Sequence, residues 1–209
     1  MNTKQKALLL AFFVFAVAYV GTIPVQPYAG SYVIKAVPEI SLALLAIMFV
    51  AGLKGRLLFV ALLFSAAGDV VLGLEGDYFE FGLGFFLVTQ VLYAVTFSRD
   101  FKAQRSRIPV VLFMAALAVT MVVVLTPSLD EMIGPVYVYL IAILAMGVLA
   151  AFRASRSPVV LFGVLLFMAS DSILAINEFR TTVPAADYLV MVPYYLAQLL
   201  IVYGIMRDE

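Results

Sequence analysis

The sequence predicts an all-α integral membrane protein of eight transmembrane helices, and three observations predict it. Apolar residues make up 65% of the 209 positions against 12% charged, and the mean hydropathy is +1.12, more than one soluble core could bury. The apolar residues fall into eight runs, each close to the ~20 residues needed to cross a hydrocarbon layer of about 30 Å. Basic residues collect in alternate loops, as they do on the cytoplasmic side of a multi-pass protein.

The first run, Ala7–Gly21, follows Lys4 and Lys6 and contains "AVA" at 16–18, the outline of a signal peptide. An uncleaved span is the preferred reading, because eight spans rather than seven put the loop charges in order. The second run, Ser31–Ala51, carries Lys35, Pro38 and Glu39, and the third, Arg56–Leu74, carries "LLFSAAGDVVLG" around Asp69. The fourth, Phe79–Ser98, holds "TQVLY", while the fifth and sixth, Ile108–Thr126 and Ile133–Phe152, hold nothing distinctive. The seventh, Pro158–Asn177, places Asp171 in "ASDSILA", and the eighth, Ala186–Met206, contains "AQLLIVY". The loops are short, so residues 1–209 read as a single helical-bundle domain.

With both termini inside, the cytoplasmic loops take Lys4, Lys6, Lys54, Arg56, Arg99, Lys102, Arg105, Arg107, Arg153, Arg156 and Arg207, 11 of the 13 basic residues. The outer loops take Arg180 together with Glu75, Asp77, Glu80, Asp130, Glu131, Glu178 and Asp187. In a bacterium the host membrane would be the plasma (inner) membrane. A net charge of zero argues against nucleic acid, and the basic stretch Arg99–Arg107 reads as a loop touching anionic head groups. The chain has no cysteine and no histidine. Acid–base chemistry must therefore run on carboxylates, lysine or tyrosine, and a zinc site is improbable.

"AGDVVLG" and "ASDSILA" superpose on their aspartates, and Gln90 and Gln198 each precede an aromatic in the following helix. The expected architecture is two four-helix halves in parallel orientation; similar composition alone would be the plainer explanation. Asp69 lies 13 residues beyond Arg56 and Asp171 lies 13 beyond Pro158, which puts both about 20 Å from the cytoplasmic edge. Glu39 and Tyr194 come to a similar level. An ionisable group at that depth costs roughly 2.5–3.5 kcal/mol, so it normally faces the bundle interior and marks a substrate or ion path; cross-linking of helices is the structural alternative. Lys35 and Glu39, four residues apart, form either a self-contained ion pair at the Pro38 kink or, through the long lysine stem, an anchor for a phosphate at head-group level. Tyr194 and Gln198, one turn apart, are expected to face one pocket.

"KAVPEISL" at 35–42, "FSAAGDVVLG" at 64–73, "GLGFFLVTQVLYAVTF" at 82–97, "MASDSILAINEF" at 168–179 and "PYYLAQLLIVYG" at 193–204 together resemble the YhhN family, multi-pass membrane proteins that include lysoplasmalogenases. Two departures are Gln90, where the family element suggests histidine, and Glu39, a carboxylate outside the pattern. The resemblance implies hydrolysis of the vinyl-ether bond of a lysoplasmalogen taken from the bilayer, giving a fatty aldehyde and a glycerophospho-ethanolamine or -choline. Asp69 and Asp171 would be the catalytic pair, facing one cavity within about 10 Å of each other. Lys35, Glu39, Gln90, Asn177, Tyr194 and Gln198 would bind substrate. Two carboxyls buried near one another do not both ionise readily, so one keeps its proton to deliver while the other stays ionised. No cofactor or metal is required, although an oxygen-rich site could hold magnesium or calcium. The alternative is a proton- or ion-coupled transporter or channel with the aspartates as its relay.

Overall fold

The computed structural model describes residues 2–74, 76, 78–154 and 157–208; Glu75, Asp77 and Arg156, counted above as loop charges, lie outside the described residues. The chain forms α1 (Thr3–Thr22), α2 (Ser31–Phe49), α3 (Gly52–Leu72), α4 (Phe79–Ser98), α5 (Ile108–Leu125), α6 (Ile133–Ala151), α7 (Val159–Phe179) and α8 (Ala186–Asp208), with short 3-10 turns in the connections. All eight are long and apolar enough to cross a membrane, and the protein is an integral multi-pass membrane protein. Among the described residues the only extended pairing is one isolated bridge, Phe101 to Arg153.

Two helices begin before their apolar runs do. The Asn2 side chain accepts from the Gln5 N–H and the Gln5 side chain accepts from the Asn2 N–H, a reciprocal cap that starts α1 ahead of Lys4 and Lys6. α3 starts at Gly52 and takes in Lys54 and Arg56. Lysine and arginine are good helix formers whose stems reach back to the interface, so a basic residue at a span's edge does not have to lie outside the helix.

The chain packs as two compact units, residues 1–93 with 202–209, and residues 94–201; the division falls within α4 and α8. In the first unit α2 packs along α3, and α1 packs on α2. α1 buries Phe12, Ala16 and Tyr19, one stripe at helical spacing, and leaves Val14 and Val17 exposed on its outer side. Gly30, with φ at +85°, makes the left-handed turn that starts α2. At the other end of α2 a Cβ on Gly55 would collide with the Val50 carbonyl oxygen and stand 3.0 Å from that of Ala46. Glycine is thus required where α3 turns back against α2, since lipid supplies no hydrophobic drive and close approach of small residues holds the pair.

In the second unit α5, α6 and α7 pack together. α5 buries Met114, Ala118, Met121 and Leu125 and exposes Leu112, Phe113, Val119 and Val123. Gly147 of α6 sits against the sulfur atoms of Met114 and Met168, and Gly163 of α7 lies where a Cβ would stand 2.9 Å from the Ala197 carbonyl oxygen of α8. Arg153, expected as an ordinary loop cation, is buried. Its guanidinium lies 3.3 Å from the Asp100 carboxylate and over the Phe97 ring, while the Lys102 N–H donates to the Phe152 carbonyl and the Ala154 N–H to that of Asp100. It ties the chain after α4 to the chain after α6.

Candidate functional site

The first unit brings Lys35 and Asp69 together. α2 and α3 are antiparallel, and a Cβ on Gly73 would stand 2.8 Å from the Cβ of Tyr32. Moving one turn along each helix from that contact leads to Lys35 and Asp69, since residues three or four apart share a face. The Lys35 ammonium lies 3.4 Å from Asp69 Oδ1, with both side chains nearly sealed from the surface. One further turn along the same faces come Glu39 and Ser65, both fully buried.

α4 completes this cluster. The Phe86 ring fills the space above Gly68, Leu72 covers Gly82, and the Thr89 hydroxyl donates to the Ala61 carbonyl at 3.0 Å. This register brings Gln90, also fully buried, to the level of Phe64 on α3, beside the Glu39 and Ser65 layer. The Tyr93 phenol, one turn on, is within electrostatic reach of the Glu39 carboxyl. In the sequence Tyr93 reads as one more interfacial aromatic, and nothing there marks it as part of the cluster.

In the second unit Asp171 meets a residue that sequence reasoning missed. The Tyr139 hydroxyl of α6 donates to Asp171 Oδ2 of α7 at 2.5 Å, and the Tyr139 ring is buried. Tyr139 stands in "VYVYLIA", a run without motif; the only available signal was that it lies six residues into a span, deeper than an interface anchor normally sits. Asp171 itself is half-buried, against 1% exposure for Asp69.

α8 runs antiparallel to α7. The Ser170 hydroxyl donates to the Val190 carbonyl, Phe167 and Tyr194 stack edge to face with centroids 5.9 Å apart, and Gly163 faces Ala197 and Ile201. Tyr194 therefore sits about one turn below Asp171. Gln198, one turn further on, is at the level of Gly163, about 12 Å along the helix from Asp171. Asn177 shapes the backbone, because its Oδ1 accepts the Val183 N–H at 3.0 Å and closes the turn after α7.

Arg56, from which the depth of Asp69 is counted in the sequence, lies inside α3; Asp69 is three residues from the end of α3 and Asp171 eight from the end of α7. Among the described residues no group of three or more histidine, cysteine or carboxylate side chains gathers to hold a metal ion.

A human protein named lysoplasmalogenase TMEM86A is 35% identical over 155 residues, covering 69% of this chain and 62% of that protein; a bovine protein of the same name is 31% identical over 151 residues, with the same coverage. A Mycobacterium tuberculosis protein named lysoplasmalogenase is 30% identical over 177 residues, covering 81% of this chain and 68% of its own length. The chain thus spans about three fifths of the length of the mammalian relatives it matches. No solved structure matches it. The profile of the YhhN family matches residues 30–205, from the turn before α2 to the last turns of α8, and the chain belongs to the YhhN family.

Proposed function

We propose that this protein hydrolyses the vinyl-ether bond of a lysoplasmalogen drawn from the bilayer, with Asp69 and Asp171 as its catalytic carboxyls. The observation that carries the reading is a carboxyl within a span of each unit, engaged by a polar side chain of the adjacent helix, in a chain whose relatives bear the name lysoplasmalogenase.

The chemistry suits these groups. A carboxylic acid gives its proton to the β-carbon of the enol ether, leaving an oxocarbenium ion that a nearby carboxylate stabilises. Water adds to the α-carbon and loses a proton to the carboxylate freed in the first step. The hemiacetal then releases the glycerol oxygen as an alcohol and becomes the fatty aldehyde. No redox partner enters the balance.

Lys35 lies near the outer end of α2 and offers its ammonium to the phosphate while pairing with Asp69. Glu39 and Gln90 of the first unit and Tyr194 and Gln198 of the second are the proposed substrate-binding residues, all buried polar groups within spans. The excess of lysine and arginine in alternate loops supports cytoplasmic termini, with the lipid head group at the outer leaflet.

Purified protein incubated with a lysoplasmalogen and, separately, with the matching ester lysophospholipid tests this by mass spectrometry of the products. Fatty aldehyde and glycerophospho base from the vinyl ether, with the ester intact, is the expected result. An unchanged vinyl ether would reject the proposal.

A further inference from the structure

We infer that the stretch joining α4 to α5, residues 99–107, is a docking surface for the head group of an anionic phospholipid, and that buried Arg153 creates it by cancelling the stretch's single acid. The stretch holds four bases, Arg99, Lys102, Arg105 and Arg107, against Asp100 alone. Arg99, Lys102 and Arg105 are exposed and Arg107 is half-buried; among the described residues none of the four is paired with an acid. Asp100 is engaged elsewhere, its carboxylate 3.3 Å from the guanidinium of Arg153, whose side chain is 3% exposed. The chain after α6 thus supplies the counter-charge, and the bases of the stretch stay available to an outside anion.

The bases are also held in place. The Lys102 N–H donates to the Phe152 carbonyl at 2.6 Å and the Ala154 N–H to that of Asp100 at 2.7 Å, the Gln104 side chain donates to the Arg153 carbonyl at 3.3 Å, and a 3-10 turn over Arg105–Arg107 leads into α5. Fixing the cations beforehand lowers the ordering cost of binding. Because the stretch joins two spans, it lies at head-group level, where an anionic leaflet attracts lysine and arginine. Phe101, 54% exposed and stacked on Phe152, and Ile108, 46% exposed, stand beside the cations. That combination suits a ligand with acyl chains beneath its phosphate, whereas a free anion would use the cations alone.

Native mass spectrometry of the purified protein, titrated in detergent with dioleoyl phosphatidylglycerol or dioleoyl phosphatidylcholine, reads the surface directly. Phosphatidylglycerol should bind more tightly. Arg99→Gln/Lys102→Gln/Arg105→Gln should weaken it roughly 10- to 100-fold, given about fivefold per base near a charged surface, and should move phosphatidylcholine by less than about twofold. Lys4→Gln/Lys6→Gln/Arg207→Gln removes three exposed bases elsewhere and should leave the preference within about twofold of wild type. Equal losses in the two triple variants would reduce the stretch to general loop charge and overturn the docking surface. Displacement of the lipid by inorganic phosphate at equal concentration would overturn it too.

Arg153→Met leaves the Asp100 carboxylate uncancelled among the bases, so phosphatidylglycerol affinity should fall about fivefold. Arg153→Met/Asp100→Asn removes that carboxylate and should restore affinity to within about twofold of wild type. A single variant that binds as tightly as wild type, or a double variant as weak as the single one, would overturn the part given to Arg153. Where Arg153→Met does not fold, Asp100→Asn alone carries the question. It adds one net positive charge and should tighten phosphatidylglycerol binding; unchanged or weaker binding would overturn that part. None of these outcomes depends on hydrolysis.

Discussion

Asp69 and Asp171 sit in similar words of sequence, "AGDVVLG" and "ASDSILA", and in unlike surroundings. Asp69 is sealed against an ammonium from α2; Asp171 is half-buried and takes a phenolic hydrogen bond from α6. The difference arises from the neighbouring helix and not from the motif. α2 carries lysine one turn below its contact with Gly73, whereas α6 carries tyrosine level with Asp171. Similar motifs can therefore present their carboxyls to an ammonium in one unit and to a phenol in the other.

The comparison can be broken most forcefully at the cation. Lys35→Met keeps the stem and strands the Asp69 charge, so stability should drop by about 3–5 kcal/mol. Lys35→Met/Asp69→Asn should recover most of that loss in a detergent thermal melt, because replacing both charges removes the stranded one. A double variant as unstable as the single would show that the ion pair is not what Asp69 depends on.

Backbone contact offers a smaller probe. A methyl at Gly55 would run into a carbonyl oxygen, and one at Gly163 would meet a carbonyl oxygen at 2.9 Å. Overpacking costs typically about 1–3 kcal/mol, so Gly55→Ala should fall at the upper end and Gly163→Ala at the lower. Equal melting temperatures for the two variants would mean that α2–α3 and α7–α8 approach each other equally closely.

The eight spans were legible because apolar length is a strong signal and the bilayer fixes its scale. Their ends were less so. Lys54 and Arg56 look like loop residues but lie in the first turns of α3, so the span begins earlier than its apolar run suggests. Asp69 and Asp171 stood out as charges inside apolar runs, yet their partners did not. Lys35 reads first as a partner for Glu39, four residues on, because a sequence displays contacts within a helix more readily than contacts between helices. Tyr139 was invisible because a tyrosine in a span carries no mark of whether it faces lipid, core or a carboxyl. Asn177, expected to bind substrate, also closes a turn through its Oδ1, a contact that depended on where Val183 falls once the chain leaves α7.

The central claim is that both aspartates act through ionisable carboxyls, and turnover of the asparagine variants tests it most directly. Asn keeps the volume and can still accept a hydrogen bond, but it neither donates an acid proton nor carries the charge. Asp69→Asn and Asp171→Asn should each lose at least about 10²-fold in lysoplasmalogen turnover, the lower range for general acid–base catalysis. The double variant should be little worse than the poorer single one, as groups acting in one step are not additive. Hydrolysis near the wild-type rate by either folded variant would make that aspartate a structural link between helices and contradict the account.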